Sequence, residues 1–126
     1  MDSTATSDSA VDAARQLSRA HDCTVSISGA TDYVVRGDEV AQVHNGHPMM
    51  PRVTGLGCTA SALCGAFVAV NESPLAAAAH AMAVLGIAGE MAAERSSGPG
   101  SLQVHLLDAL YSLSAEDVAG RLKAGS

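Results

Sequence analysis

The chain has 126 residues, of which 48% are hydrophobic, enough to bury a core and too many for a disordered segment. Its formal net charge is −6, and no Lys/Arg cluster occurs, which excludes a phosphate-neutralising nucleic-acid surface. Only Tyr33, Phe67 and Tyr111 are aromatic, so the core falls to Ala, Val, Leu, Ile and Met; three cysteines, Cys23, Cys58 and Cys64, follow no signal peptide and read as reduced thiols of a cytoplasmic protein.

Residues 1–8, MDSTATSD, are polar and predict a loop. Ser7, Asp8 or Ser9 is placed to cap a helix running to about His21, with Val11, Ala14 and Leu17 on one face. CTVSIS (23–28) is short and β-branched and predicts a strand. GATD turns it, and DYVV and EVAQVH predict two more strands around the turn Arg36-Gly37-Asp38-Glu39. The RGD at 36–38 reads as that hairpin turn and not as an adhesion motif, because Gly-Asp supplies what such turns require. HNGHPMMPRVTGLG (44–57) is punctuated by glycine and proline and predicts a loop crossing one end of the sheet.

Cys58 to Val70 is apolar and predicts a helix; residues 71–74 break it, and Pro74 suits the first turn of the next. The longest helix is expected over 74–95, followed by a sharp loop, SSGPGS (96–101). Leu102 to Leu113 carries apolar residues at 102, 106, 107, 110 and 113, a helical stripe. Ser114 then caps a final helix to the C-terminus, with Asp117 in the third position of a capping box. Residues 53–70 are uncharged and approach the length of a membrane span. They and residues 74–89 are rich in Ala and other small residues that transfer little energy to lipid, and no aromatic belt flanks them. Burial inside an α/β protein is the better reading.

His44 and His47 form H-x-x-H, but Asn45, Gly46 and Pro48 force a loop there and no C-x-x-C accompanies it, which favours a structural or surface role over zinc. His80 and His105 fall within helical stripes and read as partly buried packing residues. The glycine turn is more informative. Gly55, Leu56, Gly57 and Cys58 follow a loop and precede a helix, so their backbone N–H groups converge at a helix N-terminus, which favours negative charge. The same dipole favours the thiolate of Cys58. Cys64, farther along among Ala and Phe, reads as core. Spacing alone leaves open whether this turn binds an anion or only caps the helix.

NGHPMMPRVTGLGC, SALCGAFVAV, GIAGEMAAER and GPGSLQVHLLDALY occur in an order that resembles the C-terminal half of hydroxyethylthiazole kinases, and SGATDYVVRGDEV resembles that family's strand-hairpin segment. The resemblance implies the C-terminal half of a ribokinase-like three-layer α/β fold, with short strands and a hairpin followed by an Ala-rich helical layer. Residues 1–126 would form one partial domain, with a C-terminal helix over 113–126. The implied reaction is ATP-dependent phosphorylation of 4-methyl-5-(2-hydroxyethyl)thiazole with Mg²⁺, in thiamine salvage. The resemblance also implies that Cys58 is catalytic, that Gly55 contacts the thiazole and that Ser28 stands where a threonine contacts ATP. It places no metal ligand in this chain. Leu56 replaces the usual Thr or Ala and adds bulk beside the turn, and Ala30 replaces a common Glu. The family chain is about twice as long, so the resemblance implies a fragment, a truncated product or half of a split enzyme, working as a homotrimer or with a separate N-terminal half. An inactive remnant or oligomerisation module is the alternative.

Overall fold

The computed structural model describes residues 4–125, with side chains from Asp8 onward. The elements are α1 (Thr4–His21), β1 (Val25–Ile27), β2 (Asp32–Arg36), β3 (Glu39–Val43), a 3-10 turn (Met50–Arg52), α2 (Leu56–Ala69), α3 (Pro74–Ala93), α4 (Pro99–Ser112), α5 (Ala115–Arg121) and β4 (Ala124–Gly125). The strands form one antiparallel sheet in the order β1-β2-β3-β4, with Val25 opposite Val35, Asp32 opposite Val43, and Val43 opposite Ala124.

Adjacent strand residues point to opposite faces, and Val34 and Val35 are both fully buried, so β2 is covered on both sides. α1 packs against β1 and β2, while α3 packs against β2 and β3. Ser18 fastens α1 to the sheet: its hydroxyl donates to the Cys23 carbonyl at 2.6 Å and accepts from the Gly37 amide at 2.8 Å. Gly37 takes φ +60° in the predicted hairpin turn, a conformation that glycine adopts without strain. Both charges of the RGD serve this corner, Arg36 donating to Asp22 at 2.9 Å and Asp38 accepting from Arg19.

α3 is the centre of the helical layer, flanked by α2 and α4. Ser73 caps it, accepting from the Ala76 amide at 3.2 Å, and Pro74 fills its first turn. Eleven of its residues are buried, among them Leu85, Ile87 and Ala88. Its length and composition would suit a membrane span, but 61% of its apolar window is buried against the other elements. The main core joins Met50, Val53, Leu85, Ala88, Ala92, Leu102, Leu106 and Ala109.

Several expectations need correction. α1 already includes Thr4, so Ser7, Asp8 and Ser9 lie within the helix and do not cap it; residues 1–3 of the expected loop lie outside the described residues. No proline or glycine interrupts 4–21, so nothing in the sequence stops the helix from extending back. α4 begins at Pro99, because proline at the first helical position sacrifices no hydrogen bond. The Ser114–Asp117 capping box forms with both bonds, at 3.0 and 3.1 Å. The helix it starts ends at Arg121, and the chain then turns back as β4, where the Lys123 carbonyl accepts from the His44 amide at 2.8 Å. Leu17 and Leu107 are exposed, and no residue of α2 is fully buried. Cys64 is half-buried against the Val43–Met82–Ala83 cluster, whereas the neighbouring Gly65 and Ala66 are exposed.

Candidate functional site

The helix expected from Cys58 starts two residues earlier, at Leu56, with Gly55 as its N-cap at φ +82° and no side-chain cap. That left-handed conformation is what glycine supplies here. The first intrahelical bond of this turn runs from the Thr59 amide to the Gly55 carbonyl at 3.1 Å, leaving the amides of Leu56, Gly57 and Cys58 without intrahelical acceptors. Gly57 and Cys58 are exposed beside them. Leu56 is half-buried and packs against the main core, so its bulk is directed into the protein. A Cβ placed on Gly57 would meet nothing within 4 Å. Packing within the chain therefore does not require glycine at 57, whereas close approach of a ligand to the backbone does. A free first turn, an exposed thiol and an unencumbered backbone can together receive an oxyanion and a proton.

Ser28 is exposed in the turn after β1. Asp32 closes that turn, its Oδ1 accepting from the Gly29 amide at 3.1 Å. Burial pushes the Asp32 carboxyl up to about 6, against the lowering effect of the Gly29 bond. Asp32 pairs with Val43, so the Ser28 turn and the loop leading to Gly55 leave the sheet at the same end. There Thr31 Oγ1 lies 3.1 Å from His44 Nδ1. Ala60 and Cys64 pack near Val43, which brings the first half of α2 to this end as well.

The histidines divide. His44 and His47 are exposed on the loop, and His47 Nδ1 accepts from the Met49 amide at 3.1 Å, a local structural bond. His105 is half-buried beside the Ser96 hydroxyl, 2.9 Å away, as its helical position suggests. His80 is exposed, edge-on to Phe67, and is not the partly buried residue expected. Burial raises the thiol of Cys64, and all three cysteines are free. A shallow polar depression lined by Asp12, Arg15, Gln16, Arg19 and Asp38 lies at the hairpin end and holds none of the predicted site residues. Among the described residues no group of three or more His, Cys, Asp or Glu side chains is placed to hold a metal ion. Sequence reasoning missed Asp32 and also Asn45, which is 3% exposed and makes hydrogen bonds to Glu90 of α3 and to the C-terminal stretch at Arg121 and Lys123. Both are polar residues next to turns, and nothing local in the sequence shows that they are buried.

Residues 1–116 match the model of the hydroxyethylthiazole kinase family. The hydroxyethylthiazole kinase of Syntrophus aciditrophicus is 62% identical over 123 residues, which are 98% of this chain and 46% of that protein. That of Leptospira biflexa is 52% identical over 124 residues, with the same two coverages. A solved hydroxyethylthiazole kinase from Pyrococcus horikoshii OT3 superposes with a TM-score of 0.89 at 40% identity, over 94% of this chain and 46% of its own. The chain thus spans about half the length of the relatives it matches.

Proposed function

The chain belongs to the hydroxyethylthiazole kinase family, and from that premise we propose that it contributes the phosphoryl-transfer turn for ATP-dependent phosphorylation of 4-methyl-5-(2-hydroxyethyl)thiazole. The observation that carries this reading is the Gly55–Cys58 turn, with its uncapped amides and a Gly57 whose missing side chain leaves open space. Phosphoryl transfer asks a protein chiefly for positioning and for stabilisation of spread negative charge. Backbone amides at 55–58 hold oxygens of the γ-phosphoryl group as its charge redistributes. The thiazole alcohol oxygen attacks the γ-phosphorus, the bond to ADP breaks, and Cys58 accepts the hydroxyl proton late in transfer. Gly55 lies against the thiazole, and the Ser28 hydroxyl contacts ATP from the turn at the same end of the sheet.

Mg²⁺ ordinarily accompanies ATP in such reactions, but the described residues do not assemble a site for it. It would be held by phosphates and by residues outside those described. Activity is expected to require the part of the family chain that these residues do not span, supplied by a second polypeptide; the chain itself assembles as a homotrimer or with that polypeptide, in a cytoplasmic setting that suits three free thiols. A second reading, an oligomerisation module without catalysis, is favoured by the exposed Val104, Leu107 and Tyr111 along α4.

The test is Cys58→Ala, assayed for ADP release with ATP and the thiazole alcohol in a pairing with a polypeptide covering the unmatched half of a relative, in which the wild-type chain turns over. Loss of a general base lowers turnover by more than about tenfold. An unchanged rate removes Cys58 from the mechanism.

A further inference from the structure

The segment that delivers the glycine turn begins at a buried polar knot. Asn45 donates through Nδ2 to Glu90 Oε2 at 2.8 Å and to the Arg121 carbonyl at 2.6 Å, and its Oδ1 accepts from the Lys123 amide at 2.8 Å. The same Glu90 oxygen accepts from the Gly46 amide at 2.9 Å. The other carboxylate oxygen lies 3.9 Å from Arg121 Nη1 and 4.0 Å from Lys123 Nζ, so the charge of Glu90 is balanced on its far side. Two glycines of α3 make room for this loop. A Cβ on Gly86 would stand 2.8 Å from the backbone carbon and oxygen of Asn45, and one on Gly89 would overlap the Met50 thioether. GIAGE (86–90) is therefore the mould into which NGHPMM (45–50) fits.

From there to Gly55 little slack remains. The 3-10 turn is closed by bonds from Met50 to His47, Arg52 to Met49 and Val53 to Met50, each 3.0 Å. Met50 and Val53 are buried in the main core, and Leu56 packs at its edge. The segment has a polar clamp at 45–46 and an apolar anchor at 50–56. Releasing the clamp leaves the anchor alone to set where the turn points.

We propose that Glu90, acting through Asn45 and Gly46, is a positioning residue that fixes the backbone of the Gly55–Cys58 turn. Its value to catalysis rests on the reading of that turn as the phosphoryl-transfer site; the mechanical coupling itself needs no substrate. One carboxylate oxygen meets two N–H donors, an arrangement an amide oxygen can also make and a methyl group cannot.

Hydrogen exchange of the full 126-residue chain, followed peptide by peptide, tests it. Glu90→Ala is expected to speed exchange of the hydrogen-bonded amides in 45–47 and 53–59, Gly46, Val53 and Thr59 among them, by at least about tenfold, the effect of losing hydrogen bonds to a charged acceptor. Peptides from α1 and α4 are expected to change by less than about twofold. Glu90→Gln retains an acceptor and is expected to restore most of the protection, a rescue that general loosening of α3 would not give. Gly86→Ala attacks the same contact from the helix side with a better helix former, and it is expected to give the same local pattern. Should Glu90→Ala not fold, Gly86→Ala and Glu90→Gln decide the matter. Unchanged protection at 53–59 in a variant whose 45–47 amides are released overturns the proposal, and so does equal acceleration through the whole chain. Absence of kinase turnover leaves this result standing, and loss of the coupling leaves the kinase reading standing.

Discussion

At Gly57 a methyl group would meet open space, yet glycine near the start of a helix sacrifices backbone entropy. Gly57→Ala is therefore expected to leave the chain as stable or to stabilise it by about 0.5–1 kcal/mol, while turnover with ATP and the thiazole alcohol falls. Urea unfolding of the chain, beside ADP release by the chain paired with the unmatched half of a relative, checks both halves; a rise in stability with full activity would mean that nothing approaches the backbone there. Asp32 gives a prediction of the opposite kind. Its carboxyl is raised from the ordinary 3.8 to about 6, chiefly by burial, so the folded chain holds that proton more tightly than the unfolded one. Its contribution to stability is fully present below about pH 3.8 and is lost as pH rises through about 6. Asp32→Asn keeps an acceptor for the Gly29 amide, so it is expected to stabilise the chain at pH 8 and to be neutral near pH 3.5; thermal unfolding at the two pH values reads the difference. The glycine turn and Cys58 were legible in the sequence because turn chemistry and helix starts are local. Asp32 and Asn45 were not, because their burial is decided by elements far away in the chain.

Among the elements, the long helices and the hairpin were legible from periodicity and turn residues, and Ser114 with Asp117 even marked a cap correctly. What stayed hidden depends on partners. β4 has two residues and no pattern of its own, and it forms because Asn45 and His44 bind the backbone around Lys123. α2 is apolar all round, yet it packs chiefly against α3 and leaves Cys58, Ser61, Ala62, Gly65 and Ala66 exposed, which no periodicity count could show. The fit between α3 and the loop makes its own prediction. Gly86→Ala drives a Cβ against the Asn45 backbone, whereas Gly89→Ala meets only the flexible end of Met50. The first is expected to cost about 1–3 kcal/mol in urea unfolding, as overpacking does, despite alanine's better helix propensity. The second is expected to cost less. Equal costs would show that the Asn45 backbone is free to move away.

For the molecule as a whole, a sheet covered by α1 on one side and α3 on the other, with α2 and α4 flanking α3, gives the layered half-fold that the sequence motifs implied, and the Pyrococcus horikoshii kinase superposes on it. The match takes up about half of that chain. The proposed role of the Gly55–Cys58 turn in phosphoryl transfer needs the remainder of the family chain to be supplied. The most direct measurement combines this chain, wild type or Cys58→Ala, with a polypeptide covering the unmatched half of the Syntrophus aciditrophicus kinase, and follows ADP release with ATP, Mg²⁺ and the thiazole alcohol. Turnover is expected from the wild-type pair, with a rate lower by more than about tenfold for Cys58→Ala. Equal rates for the two pairs, or no turnover by a wild-type pair that demonstrably associates, would contradict it.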